Sequence, residues 1–509
     1  MNRSRRPRAA VSPAVAVPSA PRALAWLDVR GPFLVPALLL LATRMWFALN
    51  IPFAAEDAYI TFRYSWNFAH GLGPVFNAGE RAFGFTSAPW MAWTALGIRL
   101  GVDPVPWTRV SLVCADLVTL VAIGALLVRH ASPRSAWCFG VFFALWPYFG
   151  AMASTGLEMG AMLALVSLSA WLVDRRSPLA GGAIGLLGAF RPEGLVAAAV
   201  LAVWAGRRDR FVALGVLAAI FAVLALYFGS PLPQSMTAKA AVYGTPGPFA
   251  TRHWWDWALP FTFHNAMATT SEGKNFFLLS VLVSPAAVAG AVALWKSRTT
   301  ALAAAAAAAL LVWAGYAATG VVYFFWYFST PLFAWVLLAA VGLPRMVNGP
   351  FAYVAAVLAI TGHWMYEPKL YSGRAFYEGS AFGAIGDFVA AKARPGETVM
   401  LEPIGTIGWH ARDKRILDEV GLVSPDVAKR RRQGPGWYAD LLAAHHPEWL
   451  VIRAALIRRG EAFTGAGAPF RSLEERLTAL AAYDTAAVGD TTAGDDNFLV
   501  LVRRDRRPD

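Results

Sequence analysis

Residues 56–90 read EDAYITFRYSWNFAHGLGPVFNAGERAFGFTSAPW. The stretch opens on two adjacent carboxylates, Glu56 and Asp57, just beyond an apolar run at 32–52. Ionisable groups beside a bilayer core are costly, so they mark function more often than structure. A lone acidic pair at a solvated loop start would need no such explanation. Here the pair leads into Tyr59, Phe62, Arg63, Tyr64, Trp66 and Phe68, all before residue 70.

The rest of the chain supplies the membrane. Of 509 residues, 57% are hydrophobic and 15% charged, against ~25% charged in a soluble domain. An ordinary soluble protein is excluded, and an integral membrane protein with some soluble part is implied. The net charge of +13 gathers in short Arg clusters beside apolar runs. That is the positive-inside pattern, and it argues for no nucleic-acid partner. Cys114 and Cys138 lie in apolar runs and offer neither a disulfide framework nor metal-ligand spacing.

A helix needs ~20 apolar residues to cross a bilayer core. Runs at 32–52, 108–128, 136–152, 157–173, 179–190, 193–206, 211–228, 276–295, 300–319, 329–343 and 350–366 predict about eleven spans. Arg129-His130, Asp174-Arg175-Arg176, Arg207 to Arg210, Lys296 to Arg298 and Arg345 then read as cytoplasmic. Residues 1–31 become a disordered cytoplasmic tail. The transmembrane domain covers 32–366, and 367–509 form an extracytoplasmic soluble α/β domain. Its strands are expected at TVMLE (398–402), WLVIR (449–453) and FLVLVRR (498–504). The short apolar segment 86–101 reads as interfacial or re-entrant.

This topology collects the unusual polar residues on the outer face. They are Glu56, Asp57, Arg63, Tyr59 and Tyr64 of the first loop, Glu158 in STGLE, Arg191 and Glu193 in RPEG, and Lys239 at the end of GSPLPQSMTAK. Taken singly, each has an ordinary explanation: a helix-capping acid at Glu158, a snorkelling pair at Arg191 and Glu193, an interfacial anchor at Lys239. Together they suit sugar transfer from a lipid-linked phosphate donor. A carboxylate takes the acceptor proton, and Arg and Lys hold the phosphate that leaves. The aromatic residues suit a sugar face. A transporter or flippase of a lipid-linked sugar is the alternative. It explains the spans but needs neither the outer domain nor the acidic pair.

The order EDAYITFRY, HGLGPVFNAGERAFGFTS, STGLE, RPEG, GSPLPQSMTAK resembles the multi-spanning GT-C glycosyltransferases. In one subgroup the first loop reads D-D-A-Y-I-x-F-R-Y, N-x-G-E-R and G-Y-T-S. Residues 401–427, LEPIGTIGWHARDKRILDEVGLVSPDV, match its E-x-G-x-I-G-Y and I-x-D-x-x-G-L-x-S-P-x-V strings. The nearest members are the mycobacterial-type terminal arabinofuranosyltransferases. The resemblance implies an inverting enzyme of the plasma membrane, with a polyprenyl-phosphate sugar as donor and an envelope glycan or glycolipid as acceptor. Asp57 or Glu56 is then the catalytic base, with Asp57 favoured because Glu56 stands where the group has Asp. Arg63, Arg191 and Lys239 would bind the donor phosphate. Tyr59, Tyr64, Glu158 and Glu193 would bind substrate. Phe83-Gly84-Phe85 departs from the group's pattern at a position tied to the acceptor. No cofactor is assigned, although Glu56, Asp57 and Glu158 are hard oxygen donors that a divalent metal could use.

Overall fold

The structure, a computed structural model, describes residues 33–243, 271–297, 300–319, 324–347, 350–351, 354, 357–358, 362–365, 367–454, 463, 467–489 and 498–506. The predicted tail at 1–31, and about half of the predicted span at 350–366, lie outside the described residues.

The helical part runs α1 (Leu34–Asn50), α2 (Glu56–Ala69), α3 (Ala88–Arg99), α4 (Pro104–His130), α5 (Pro133–Leu145), α6 (Pro147–Ser154) and α7 (Met159–Asp174). It continues through α8 (Ala180–Phe190), α9 (Gly194–Trp204), α10 (Arg207–Phe228), α11 (Gln234–Tyr243), α12 (Ser271–Ser297), α13 (Thr300–Thr319) and α14 (Ser329–Met346). Local chemistry sets several boundaries. Asp103 accepts from Val105 N at 2.8 Å ahead of α4, and Ser132 from Ser135 N at 3.0 Å ahead of α5. Each cap precedes a proline at the first helical position, where its missing N–H costs nothing. Gly229, at φ +79°, closes α10 in the left-handed conformation that glycine tolerates best.

Among the described residues, four helices are long and apolar enough to cross a bilayer: Pro104–His130, Arg207–Phe228, Ala301–Thr319 and Phe325–Met346. Shorter apolar helices accompany them, α8 and α9 having 11 residues each. At ~1.5 Å per residue, neither of those two crosses a ~30 Å core alone. The same arithmetic holds for the 12-residue α3, which exposes Trp93 and Leu96.

The predicted span at 136–152 is broken. Trp146 is extended (φ −67°, ψ 118°) and α5 and α6 diverge by 56°, because the residue before Pro147 is driven out of the helical region. Such a break strands carbonyls in an apolar setting. Thr43 Oγ1 and Arg44 Nη1 each donate to Ala144 O at 2.8 Å, Arg44 Nη2 to Phe143 O at 3.1 Å and Trp364 Nε1 to Leu145 O at 2.6 Å. Asp116 of α4 balances Arg44 at 2.8 Å. The Ala run at 301–309 also has a use: Ala304, Ala305 and Ala308 are fully buried, so this part of α13 packs closely against its neighbours.

The C-terminal part holds α15 (Glu367–Lys392), β1 (Thr398–Leu401), α16 (Thr406–His410), β2 (Arg415–Asp418), α17 (Pro425–Arg431), α18 (Trp437–His445), β3 (Trp449–Arg453), α19 (Leu473–Leu480), β4 (Tyr483–Gly489) and β5 (Phe498–Arg503). The sheet order is β2-β1-β3-β5-β4. β1 pairs in parallel with β2 and β3, and β5 antiparallel with β3 and β4. The three predicted strands are β1, β3 and β5.

The first loop is bolted to this sheet. Asn77 Nδ2 donates to Ile416 O at 2.8 Å, and Asn77 Oδ1 accepts from Ile416 N at 2.9 Å. One carboxamide thus imitates a neighbouring strand at the open edge of β2. Glu80 pairs with Arg415 at 2.6 Å. Asn77→Ala should leave both Ile416 groups unpaired and cost ~1–3 kcal/mol. Hydrogen exchange should accelerate at Ile416, and unchanged protection there would refute this account of the joint.

Candidate functional site

Five of the nine residues singled out from sequence gather at a cleft at the mouth of the bundle, as an Asp57–Lys239 pair and an Arg191–Glu158–Glu193 cluster. Asp57 lies in the first turn of α2, and Lys239 lies on α11. Their charges meet at 3.4 Å. Lys239 Nζ also lies over the rings of Phe324 and Trp326, at 5.1 and 5.6 Å from their centroids. Burial pulls the Lys239 ammonium down, but Asp57 and Tyr327 beside it hold it above its ordinary value. Arg191, at the apex between α8 and α9, is bound on two sides. Nε donates to Glu193 Oε1 at 2.6 Å, and Nη1 donates to Glu158 Oε1. Thr86 Oγ1 reaches the same Glu158 oxygen at 2.7 Å, and Tyr316 OH donates to Glu193 Oε1 at 2.9 Å. Arg191 Nη2 has no hydrogen-bond partner among the described residues.

Neither acid caps its helix. Glu158 and Glu193 precede α7 and α9 without a side-chain cap bond, and both carboxylates are turned to Arg191 instead. Asp57, Glu158, Arg191 and Lys239 line the cleft together with Thr86, Trp326, Tyr327 and Leu422.

The remaining four face elsewhere. Glu56 turns toward the sheet, where Gly405 N donates to its Oε1. Burial, then Asp57 and Glu378, hold its carboxyl well above the usual range. That environment favours the neutral acid at Glu56. Arg63 is 1% exposed and donates to Phe76 O, Gly408 O, Asn77 Oδ1 and Lys414 O at 2.7–3.2 Å. This placement spends Arg63 on joining loop to sheet and keeps it from the cleft. Tyr64 OH donates to Ala82 O at 2.7 Å and accepts from Gly84 N at 3.1 Å, shaping the FGF segment behind the cleft. Tyr59 is buried against Phe62 and Trp409. Phe85 lines the cleft with its ring packed on Tyr64 at 4.8 Å.

A metal would need converging ligands. Among the described residues no three His, Cys, Asp or Glu side chains converge. Glu56 points away and Glu158 is held by Arg191, so the three hard donors noted in the sequence do not fit one ion.

Sequence reading missed Arg109, which ties the site's backbone together. It donates to Ile51 O at 2.5 Å, Phe53 O at 3.1 Å and Ser154 O at 3.1 Å. Ala55 N bonds Thr155 O at 2.9 Å. Gly156 is left-handed at φ +77°, and a Cβ there would meet the Phe62 ring at 2.8 Å. Thr86, Tyr316, Trp326 and Tyr327 were missed too. Only Thr86 sits in a recognised string, while Tyr316 follows a low-complexity Ala run.

Further acids gather where the parallel strands end. Glu402 follows β1 and pairs with Arg453 of β3 at 3.0 Å. Glu419 follows β2 and accepts from Tyr438 OH at 3.2 Å. Burial, then Glu402, push Glu419 up to about 8, and burial pushes Asp418 up to about 6. The folded state therefore holds these protons more tightly than the unfolded chain. Their stabilising contribution is full below the ordinary carboxylate range and is lost as pH rises through the folded values. Unfolding free energy should fall between about pH 4 and 8, the part above pH 6 coming from Glu419, and Glu419→Gln should flatten that upper part. An unchanged pH profile in the variant would contradict it.

Comparison with known proteins agrees with this architecture. A sequence-family profile described as a domain of unknown function (DUF8728) matches residues 371–500. No curated protein matches by sequence. Among solved structures the chain is similar to ArnT from Cupriavidus metallidurans bound to undecaprenyl phosphate, at 13% identity and a TM-score of 0.58. That match covers 96% of this chain and 100% of ArnT. It is also similar to the Archaeoglobus fulgidus oligosaccharyltransferase tethered with an acceptor peptide, at 12% identity and a TM-score of 0.56. Here the coverage is 91% of this chain and 73% of the other. Helix content, the small C-terminal sheet and these two likenesses agree on one architecture: the chain has the fold of the GT-C glycosyltransferases.

Proposed function

We propose that the protein is an inverting glycosyltransferase that moves a sugar from a polyprenyl-phosphate donor to an envelope glycan or glycolipid at the outer face of the plasma membrane. The observation that carries this reading is the meeting of Asp57 and Lys239 beside Arg191 in one cleft. ArnT, which shares the fold, is seen with undecaprenyl phosphate, and a lipid phosphate suits the same pair of cations here. A cytoplasmic N-terminus and an extracytoplasmic sheet domain belong to the same reading. Arabinofuranose is the favoured sugar, on the sequence resemblance.

The acceptor hydroxyl gives its proton to Asp57 as its oxygen attacks the anomeric carbon. The bond from that carbon to the phosphate oxygen breaks, and its electron pair leaves with the polyprenyl phosphate. Arg191 Nη2 and Lys239 Nζ donate to the phosphate. Two carboxylates and two cations line this cleft, so net positive potential does not hold the anion. Aimed N–H groups do. Proton transfer to Asp57 cancels the charge that paired with Lys239, just as the leaving phosphate gains charge. The lysine's attraction passes from base to leaving group within one step.

A flippase would also bind a lipid-linked sugar, but it has no use for a base facing the phosphate site. Purified protein given radiolabelled decaprenyl-phosphoryl arabinose, with mannose and glucose analogues in parallel, should release polyprenyl phosphate from at least one. Movement of donor across vesicles with no release from any would favour the flippase.

A further inference from the structure

We propose that the acceptor glycan binds on the C-terminal sheet, in the crevice between the ends of β1 and β3 where Glu402 and Arg453 pair; this rests on the glycosyltransferase reading above. The topology directs attention there. β1 connects to β2 on one side, and the chain then returns past β1 to β3 on the other. The connecting helices pack on opposite faces: Ile407 of α16 joins one apolar cluster, Trp437 and Leu441 of α18 another. Sheets wound both ways open a crevice at the carboxyl ends of the strands, at the point where the winding reverses. Here that point lies between β1 and β3.

The same edge faces the catalytic cleft. Three residues past Glu402, Gly405 bonds Glu56, the neighbour of Asp57. Three residues past Glu419, Leu422 lines the cleft itself. Gln234 Nε2, close in sequence to Lys239, donates to Gly421 O at 2.8 Å. The loops that leave this edge therefore connect the crevice to the cleft that holds the base.

The chemistry of the crevice fits a polyhydroxylated ligand. Glu402 and Arg453 stand 3.0 Å apart, with 31% and 33% of their side chains open. A carboxylate accepts from one sugar hydroxyl while a guanidinium donates to the next, which is the complement of a vicinal diol. Phe498 lies under the Arg453 guanidinium at 4.9 Å and gives the pair an apolar floor. Behind them sits Glu419, 7% exposed, with Tyr438 as its hydrogen-bond donor. A pair serving only to brace the sheet would gain little from standing a third open to water.

The probe is a soluble oligosaccharide fraction, cut from the delipidated envelope glycan of a strain lacking this gene, where the acceptor accumulates. Binding to the full-length protein in detergent is titrated for the parent, Glu402→Gln, Arg453→Ala and Arg453→Lys. The parent should bind, and each variant should bind at least tenfold more weakly with an unchanged melting temperature. Arg453→Lys should fail because an ammonium cannot reproduce the fork. Equal binding by parent and variants, or no binding by the parent, overturns the proposal. Donor release is scored separately. Glycan binding through Arg453 without release from any donor would sink the enzyme reading and leave the glycan site. Release without glycan binding would do the reverse.

Discussion

Asp57→Asn should cut turnover by about three orders of magnitude, the usual weight of a positioned general base. The variant should still bind donor at least as well as the parent. The second expectation separates a base from a structural acid. Asp57 is partly open to the cleft, and among the described residues its one ion-pair partner is Lys239 at 3.4 Å. Removing its charge frees the ammonium for the donor phosphate, so KM should hold or fall while kcat collapses. Neighbouring Glu56 cannot take over, because its carboxyl is turned to Gly405. Turnover and donor affinity that fall together, with a lowered melting temperature, would assign Asp57 to scaffolding instead.

Arg191→Ala should do the greatest damage to stability. Arg191 is 5% exposed and holds Glu158 and Glu193, both nearly as buried. Deleting one member of a buried ionic cluster leaves uncompensated charge, at ~3–5 kcal/mol. Two carboxylates would lose their cation here, with Thr86 and Tyr316 losing their orientation in turn. Arg191→Lys should recover only part, since one ammonium cannot bond both acids and a phosphate. Glu158→Gln placed in the Arg191→Ala background should restore some of the lost stability, because it removes one stranded charge. Thermal unfolding in detergent reads all three. If Arg191→Ala melts with the parent, the network contributes nothing and the cleft is not pre-formed by it.

The cleft was readable from sequence where a residue's charge was out of place for its neighbourhood. Asp57, Glu158, Arg191, Glu193 and Lys239 all stand beside apolar runs and were grouped by loop charge. The same reasoning assigned Arg63 to the phosphate, because sequence gives the side of the membrane and not the direction of a side chain. Its carbonyl partners at Phe76, Gly408 and Lys414 carry no sequence signature at all. The strings N-x-G-E-R and I-x-D-x-x-G-L were recognised, but as markers of a site. Asn77, Glu80 and the residues from Gly405 to Leu422 show them to be the joint between loop and sheet.

Element by element, long apolar runs gave helices at nearly the expected places. Pro147 could have been seen to break 136–152, and Arg44 then had a reason. β2 was missed because its four residues, RILD, carry charge at both ends. β4 was missed because YDTAAVG is poor in β-formers and bulged between Thr485 and Ala487.

In the proposed mechanism Arg191 and Lys239 hold a lipid-linked phosphate in front of Asp57. A cryo-EM structure with decaprenyl phosphate bound tests it most directly. The account predicts the phosphate within hydrogen-bond reach of Arg191 Nη2 and Lys239 Nζ, with the Asp57 carboxylate facing it across the cleft. A phosphate seated elsewhere, with Asp57 and Lys239 still paired and dry, would contradict it.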